Sequence, residues 1–153
     1  MSNQRKRKEI IVASSLEYDI FQLTTRFSDQ TLACVNELLS IWGMTPLQYN
    51  ALRVLYVEDQ DDIGLPSKEI GSRLYTRVPD VTRLLDRMVD KGWITRERDS
   101  VNKRLVRSRL TGIGIKLVES AYAPLMELES NQLSHLSDDE KRTLISLLNK
   151  AIN

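Results

Sequence analysis

A chain of 153 residues, 41% hydrophobic and 28% charged, has the composition of one ordinary globular unit, which excludes a disordered tail protein, a collagen-like fibre and a disulfide-stapled miniature. Its single cysteine, Cys34, cannot close an internal disulfide, and no apolar run approaches the roughly 20 residues of a membrane span, so a cytoplasmic location is expected. The 22 Lys and Arg nearly cancel the 21 Asp and Glu, leaving a formal net charge of +1 that speaks at first against a nucleic-acid partner.

Residues 1–9, with the run Arg5-Lys6-Arg7-Lys8, read as a flexible basic tail. From Leu16 the apolar positions Leu16, Ile20, Leu23, Phe27, Thr31, Cys34, Leu38 and Ile41 recur in steps of three and four, which predicts a long amphipathic helix with Cys34 buried on its stripe. Gly43 stops it. Thr45-Pro46-Leu47-Gln48 then combines a threonine cap, a proline at the first helical position and a glutamine three residues after the cap, so a second helix is expected over Pro46 to about Glu58. Its inward positions are Leu47, Ala51, Leu52, Val54 and Leu55, and an acidic loop follows from Asp59 to Gly64.

Ser67 reads as the cap of a short third helix that buries Ile70 and Leu74. After the turn Tyr75-Thr76-Arg77-Val78, a fourth helix is expected from Pro79 to Lys91, with Val81, Leu84, Leu85 and Met88 inward and Thr82, Arg83, Asp86, Arg87 and Asp90 outward. The period then changes: Trp93–Arg98 and Arg104–Leu110 read as two strands of a hairpin joined by Asp99-Ser100-Val101-Asn102-Lys103. Two further helices are expected, one from Ile113 to about Leu133 that Pro124 should kink or divide, and one capped by the box Ser137-Asp138-Asp139-Glu140.

One histidine, His135, and one cysteine lie far apart, and neither has the neighbours that a nucleophile and its base require. With no glycine-rich phosphate loop and no paired Cys or His spacing, the sequence supports no enzyme, no metal and no cofactor. Charge is distributed very unevenly, however. Between Lys68 and Arg109 there are 12 Lys and Arg against 6 Asp and Glu, a net of +6, and the remainder of the chain carries a net of −5. That basic stretch is short helix, turn, helix and hairpin, the layout of a winged helix-turn-helix in which the second helix enters the major groove and the hairpin reaches a neighbouring groove. Thr82, Arg83 and Arg87 are suited to phosphates and base edges, and the strands add Arg96, Arg98, Arg104, Arg107 and Arg109. The competing reading is a solvated face on which Arg83 pairs with Asp86 and Arg87 with Asp90.

Three runs carry a family resemblance: Leu65-Pro-Ser-Lys-Glu-Ile-Gly-Ser-Arg-Leu74, Val78-Pro-Asp-Val-Thr-Arg-Leu-Leu-Asp-Arg-Met88, and Gly92-Trp-Ile-Thr-Arg-Glu-Arg-Asp99 with Arg109-Leu-Thr111. Together they resemble the MarR family of bacterial transcription regulators. The resemblance implies a mainly α fold, a winged helix-turn-helix at residues 45–111, and a helical dimerisation domain from residues 10–44 and 112–153. It further implies a homodimer on a pseudo-palindromic double-stranded DNA, acting as a repressor. The DNA contacts would be Ser67, Arg77, Thr82, Arg83, Arg87, Arg98, Lys103 and Arg104, and the dimer contacts Leu16, Ile20, Leu23, Leu144, Leu147 and Leu148. The family's wing usually reads Asp-x-x-Asp-x-Arg; here Asp99 and Arg104 match and Asn102 replaces the second aspartate, so Asp99, Asn102 and Arg104 are the expected wing braces. A small aromatic or phenolic effector would sit near Trp42, Tyr49 and Arg53. Two alternatives stand beside this: a winged-helix module that docks proteins, and a redox-sensing regulator using Cys34.

Overall fold

The computed structural model describes residues 15–152, so the basic tail expected at residues 1–9 and the first positions of the expected dimerisation domain lie outside the described residues. The elements run α1 (Leu16–Ser40), α2 (Pro46–Glu58), β1 (Leu65–Pro66), α3 (Ser67–Arg73), α4 (Val81–Asp90), β2 (Ile94–Arg98), β3 (Val106–Leu110), α5 (Gly112–Gln132) and α6 (Asp138–Ile152). The chain divides into two compact units, residues 1–34 and 35–153, with α1 continuous across the division. Among the described residues no helix is long and apolar enough to cross a membrane.

In the first unit the described residues are the helical turns of α1 up to Cys34, and the apolar positions expected on its stripe are exposed: Leu16 at 79%, Ile20 at 60%, Leu23 at 65%. Cys34 is exposed as well, which corrects the expectation that it is a buried small hydrophobe. The helical period was correct, but it marks a face left uncovered among the described residues. The one buried residue of α1 is Leu39, next to the expected Leu38.

The second unit is built around Leu39, Leu52, Leu55, Ile70, Leu85, Met88 and Ile94, all below 2% exposure. Helix α2 forms where its signals place it. Thr45 accepts the Gln48 N–H (3.3 Å), the Gln48 side chain accepts the Thr45 N–H (3.0 Å), and two orphan donors are thereby satisfied. Its buried face is Gln48, Tyr49, Ala51, Leu52, Val54 and Leu55, with Leu47 only partly covered.

The sheet has three strands in the order β1-β3-β2, all antiparallel. Ile94 pairs with Leu110 and Arg98 with Val106, and β2 and β3 are each five residues long, shorter than the sequence suggested. The third strand, Leu65–Pro66, was not expected from the sequence, because two residues with a proline show no alternation, and a proline can sit on a sheet edge where no N–H is needed. Ser67 is consequently the first helical residue of α3 and not its cap; the cap position is Pro66, without a side-chain hydrogen bond.

Helix α4 starts at Val81, two residues later than expected, because Asp80 takes the cap position and accepts the Arg83 N–H at 2.9 Å. Helix α5 runs unbroken through Pro124, so that proline neither divides it nor marks a joint. Thr111 caps α5, and Ser137 and Glu140 form the reciprocal box before α6. None of the residues of α6 is buried; Leu147 is 60% exposed, and Leu144 and Leu148 are both 37% exposed.

Candidate nucleic-acid interface

Helices α3 and α4 approach closely at Gly71, where a Cβ would come within 2.8 Å of the Val81 side chain, so a glycine permits the tight helix-turn-helix crossing. Leu84, Leu85 and Met88 anchor α4 in the core and leave Thr82, Arg83, Asp86, Arg87 and Asp90 exposed on its other side. Gly92, at φ +71°, ends the helix, and Lys91 turns back: its Nζ donates to the Gly43 carbonyl (2.7 Å) and lies 4.3 Å from the centre of the Trp93 ring. Lys91 therefore braces the end of α4 and does not extend its outward face.

The ion pairs expected of a solvated face do not form. Asp86 is held by Arg96, Arg87 donates through Nε to the Arg83 carbonyl (3.2 Å), and among the described residues no carboxylate stands within 4.0 Å of the Arg83 or Arg87 guanidinium. Two cations are thus left without acidic partners on the outward side of α4. Ser67, Arg77 and Thr82 meet at a shallow depression of about 400 Å³ between the starts of α3 and α4.

The wing owes its shape chiefly to Asp99. Its Oδ1 accepts the backbone N–H groups of Val101 (2.9 Å) and Asn102 (2.7 Å), and its Oδ2 accepts from Arg107 Nε (2.5 Å). Arg107 Nη1 continues to the Gly64 carbonyl (2.8 Å), tying the hairpin to the loop before β1. The Asn102 N–H, the Arg107 guanidinium and the Val101 N–H together hold the Asp99 carboxyl down at about 2, well below its ordinary value. Asn102 Oδ1 accepts the Arg104 N–H at 3.2 Å, so Arg104 enters the brace only through its backbone. Its side chain, like those of Arg98 and Lys103, is exposed and has no ion pair among the described residues. The acid-base brace expected of Asp99, Asn102 and Arg104 is therefore made by Asp99 and Arg107. That partner was readable in principle: with Arg98 opposite Val106, Asp99 and Arg107 are diagonal neighbours across the hairpin.

Of the three residues expected at an effector site, Trp42 and Tyr49 do not line the cavity that Arg53 lines. Trp42 packs against the core, and Tyr49 is 9% exposed, its hydroxyl pKa raised by burial. Arg53 lines a cavity of about 350 Å³, with Tyr56, Val57, Val118, Glu119 and Tyr122, where the Tyr56 hydroxyl donates to Glu119 (3.1 Å).

A helix-turn-helix whose second helix carries free arginines outward, joined to a braced basic hairpin, defines a winged helix-turn-helix protein. The MarR family model matches residues 42–105. The uncharacterized HTH-type transcriptional regulator YkoM of Bacillus subtilis is 34% identical over 110 residues, covering 71% of this chain and 68% of that one. Among solved structures, a MarR transcription factor from Planctomyces limnophilus is 34% identical with a TM-score of 0.68, covering 90% of this chain and 98% of its own. A cysteine-to-serine mutant of Escherichia coli MarR complexed with operator DNA is 27% identical with a TM-score of 0.78, covering 92% of this chain and 100% of its own. The chain belongs to the MarR family.

Proposed function

We propose that this protein is a DNA-binding transcriptional regulator of the MarR type, a cytoplasmic homodimer that places α4 in the major groove and residues 99–104 of the wing at the minor groove of a pseudo-palindromic operator. The observation that carries this is the unpaired state of Arg83 and Arg87 on α4 together with Arg98, Lys103 and Arg104 on the wing. Unpaired cations on a well-anchored frame supply the phosphate neutralisation and bidentate base contacts that DNA recognition requires. The likeness to a MarR solved on operator DNA supports the same partner. We assign it the role of a repressor, exerted by occupying the operator. The dimer contacts are assigned to the exposed apolar residues Leu16, Ile20 and Leu23 of α1 and Leu144, Leu147 and Leu148 of α6, on the division into a winged domain (residues 45–111) and a helical dimerisation domain. A small aromatic or phenolic effector is assigned to the cavity beside Arg53, whose volume and mixed tyrosine and arginine lining suit such a ligand. Titration of labelled duplex tests the groove assignment. Arg104→Ala weakens binding to every sequence, and Arg83→Ala costs about 1–3 kcal/mol and also relaxes preference at one base position; two variants indistinguishable from the parent protein would remove the assignment.

A further inference from the structure

Arg96 lies in β2, outside the helix-turn-helix, and its side chain is only 16% exposed. One arm of its guanidinium, Nη1, pairs with Asp86 on α4, and the other, Nη2, donates to the Ser67 hydroxyl at the start of α3 (3.1 Å). Nε is buried without a partner, so the side chain is held by its two outer nitrogens. One planar group thereby connects the wing, the first helix of the pair and the second. The same contact draws Asp86 towards β2. On its own helix Asp86 is three residues from Arg83, a spacing at which acid and base normally pair. Engaged with Arg96, it leaves Arg83 free.

We propose that Arg96 is a positioning residue for DNA reading: without touching DNA, it fixes the seating of α4 against α3 and the wing and withholds the Asp86 carboxylate from the arginines of the recognition face. This rests on the DNA-binding reading above. A lysine keeps the charge but presents a single ammonium instead of a planar fork, so it cannot hold Asp86 and Ser67 in the same geometry. Misplacement of a recognition helix weakens base contacts, which depend on geometry, far more than general attraction to phosphates, which depends on charge.

The test uses the full chain, Arg96→Lys and Asp86→Asn, with two fluorescent duplexes of equal length: one selected by the unmodified protein from a random library, and one of random sequence. The expected result for Arg96→Lys is binding to the selected duplex roughly 10-fold weaker, with random-duplex binding within about 2-fold and its salt slope unchanged. Asp86→Asn should also lose discrimination while binding random duplex at least as well as the unmodified protein, a combination that simple unfolding does not produce. Amide hydrogen exchange should rise across residues 81–90 in both variants while residues 48–55 stay protected. Full discrimination by Arg96→Lys overturns the proposal, as does a parallel loss on both duplexes with the salt slope reduced by about one, which marks a direct phosphate contact. Should Arg96→Lys fold poorly, Asp86→Asn decides, and undiminished discrimination in that variant is then the refuting result. An unmodified protein that prefers no sequence refutes the DNA-binding reading itself, whereas the exchange measurement still reports whether the clamp holds α4.

Discussion

Gly114 offers a test of the fold in which the sign alone is informative. In an exposed helix interior, replacing glycine by alanine stabilises by about 1 kcal/mol. Gly114 lies in the first turn of α5 and is buried, and a methyl group added there would fall well inside van der Waals contact with the Trp93 carbonyl oxygen, 3.2 Å from the Trp93 carbonyl carbon and 3.1 Å from Leu110 Cδ2. That carbonyl cannot move freely, because it accepts the Thr111 N–H (3.0 Å), and the Thr111 hydroxyl, whose single proton is shared between the Gly92 (2.7 Å) and Trp93 (3.0 Å) carbonyls, caps α5 by accepting the Gly114 N–H (3.1 Å). Relief of the overlap costs about 1–3 kcal/mol in displaced packing, and about 1 kcal/mol for each hydrogen bond that is lost. The net expectation for Gly114→Ala is destabilisation by about 2–3 kcal/mol, read as a fall of roughly 4–12 °C in Tm by circular dichroism at fixed protein concentration. Gly112→Ala is the control. It sits in the same helix with nothing within 4 Å of its added Cβ, and should be neutral or stabilising by up to about 1 kcal/mol. A Gly114→Ala protein as stable as the parent would refute the close contact of α5 with the Trp93 backbone.

Other outcomes follow from the same geometry. Thr45→Ala removes one half of the box that starts α2 and should cost about 1 kcal/mol in a urea melt. Because the Asp99 carboxyl is held at about 2 from an ordinary 3.8, its contribution to wing order is fully present above about pH 4 and lost as the pH falls towards 2. NMR titration of Asp99 should show it ionised through pH 3, and a midpoint near 4 would contradict the brace. With about four to five phosphate contacts from each lobe, log K against log salt should fall with a slope of roughly −7 to −9, whereas a slope near zero would remove the electrostatic account. Leu147→Asp on the exposed face of α6 should convert a species of twice the chain mass into a single chain by light scattering; an unchanged mass would reassign the dimer surface.

Much of this architecture is written in local signals. Caps such as Thr45 and Ser137 act within three residues, and the apolar period of α4 places Leu84, Leu85 and Met88 inward, so both were legible in the sequence. What the sequence concealed depends on contacts between distant positions. Strand β1 exists only because Leu65 meets Ser108, and Ser67 lost its expected capping role to Pro66 and gained Arg96 as a donor instead. Arg96 and Arg107 read as two more basic residues in a basic hairpin; the packing of α4 on β2 gives Arg96 to Asp86 and the hairpin register gives Arg107 to Asp99, leaving Arg83, Arg98 and Arg104 without ion pairs among the described residues. An apolar period likewise gives a face without saying what covers it, which is why Cys34 and the α1 stripe were expected inside and lie outside in the single chain. The near-neutral net charge is the plainest instance, since it adds a basic winged region to an acidic remainder.

The most direct test of the central claim is selection by the purified protein from a library of random duplexes, followed by sequencing of the bound fraction. The expected result is an enriched inverted repeat whose half-sites lie about one helical turn, 10 base pairs, apart, bound by two chains and lost in Arg83→Ala. A bound pool no different in sequence from the input library would contradict it.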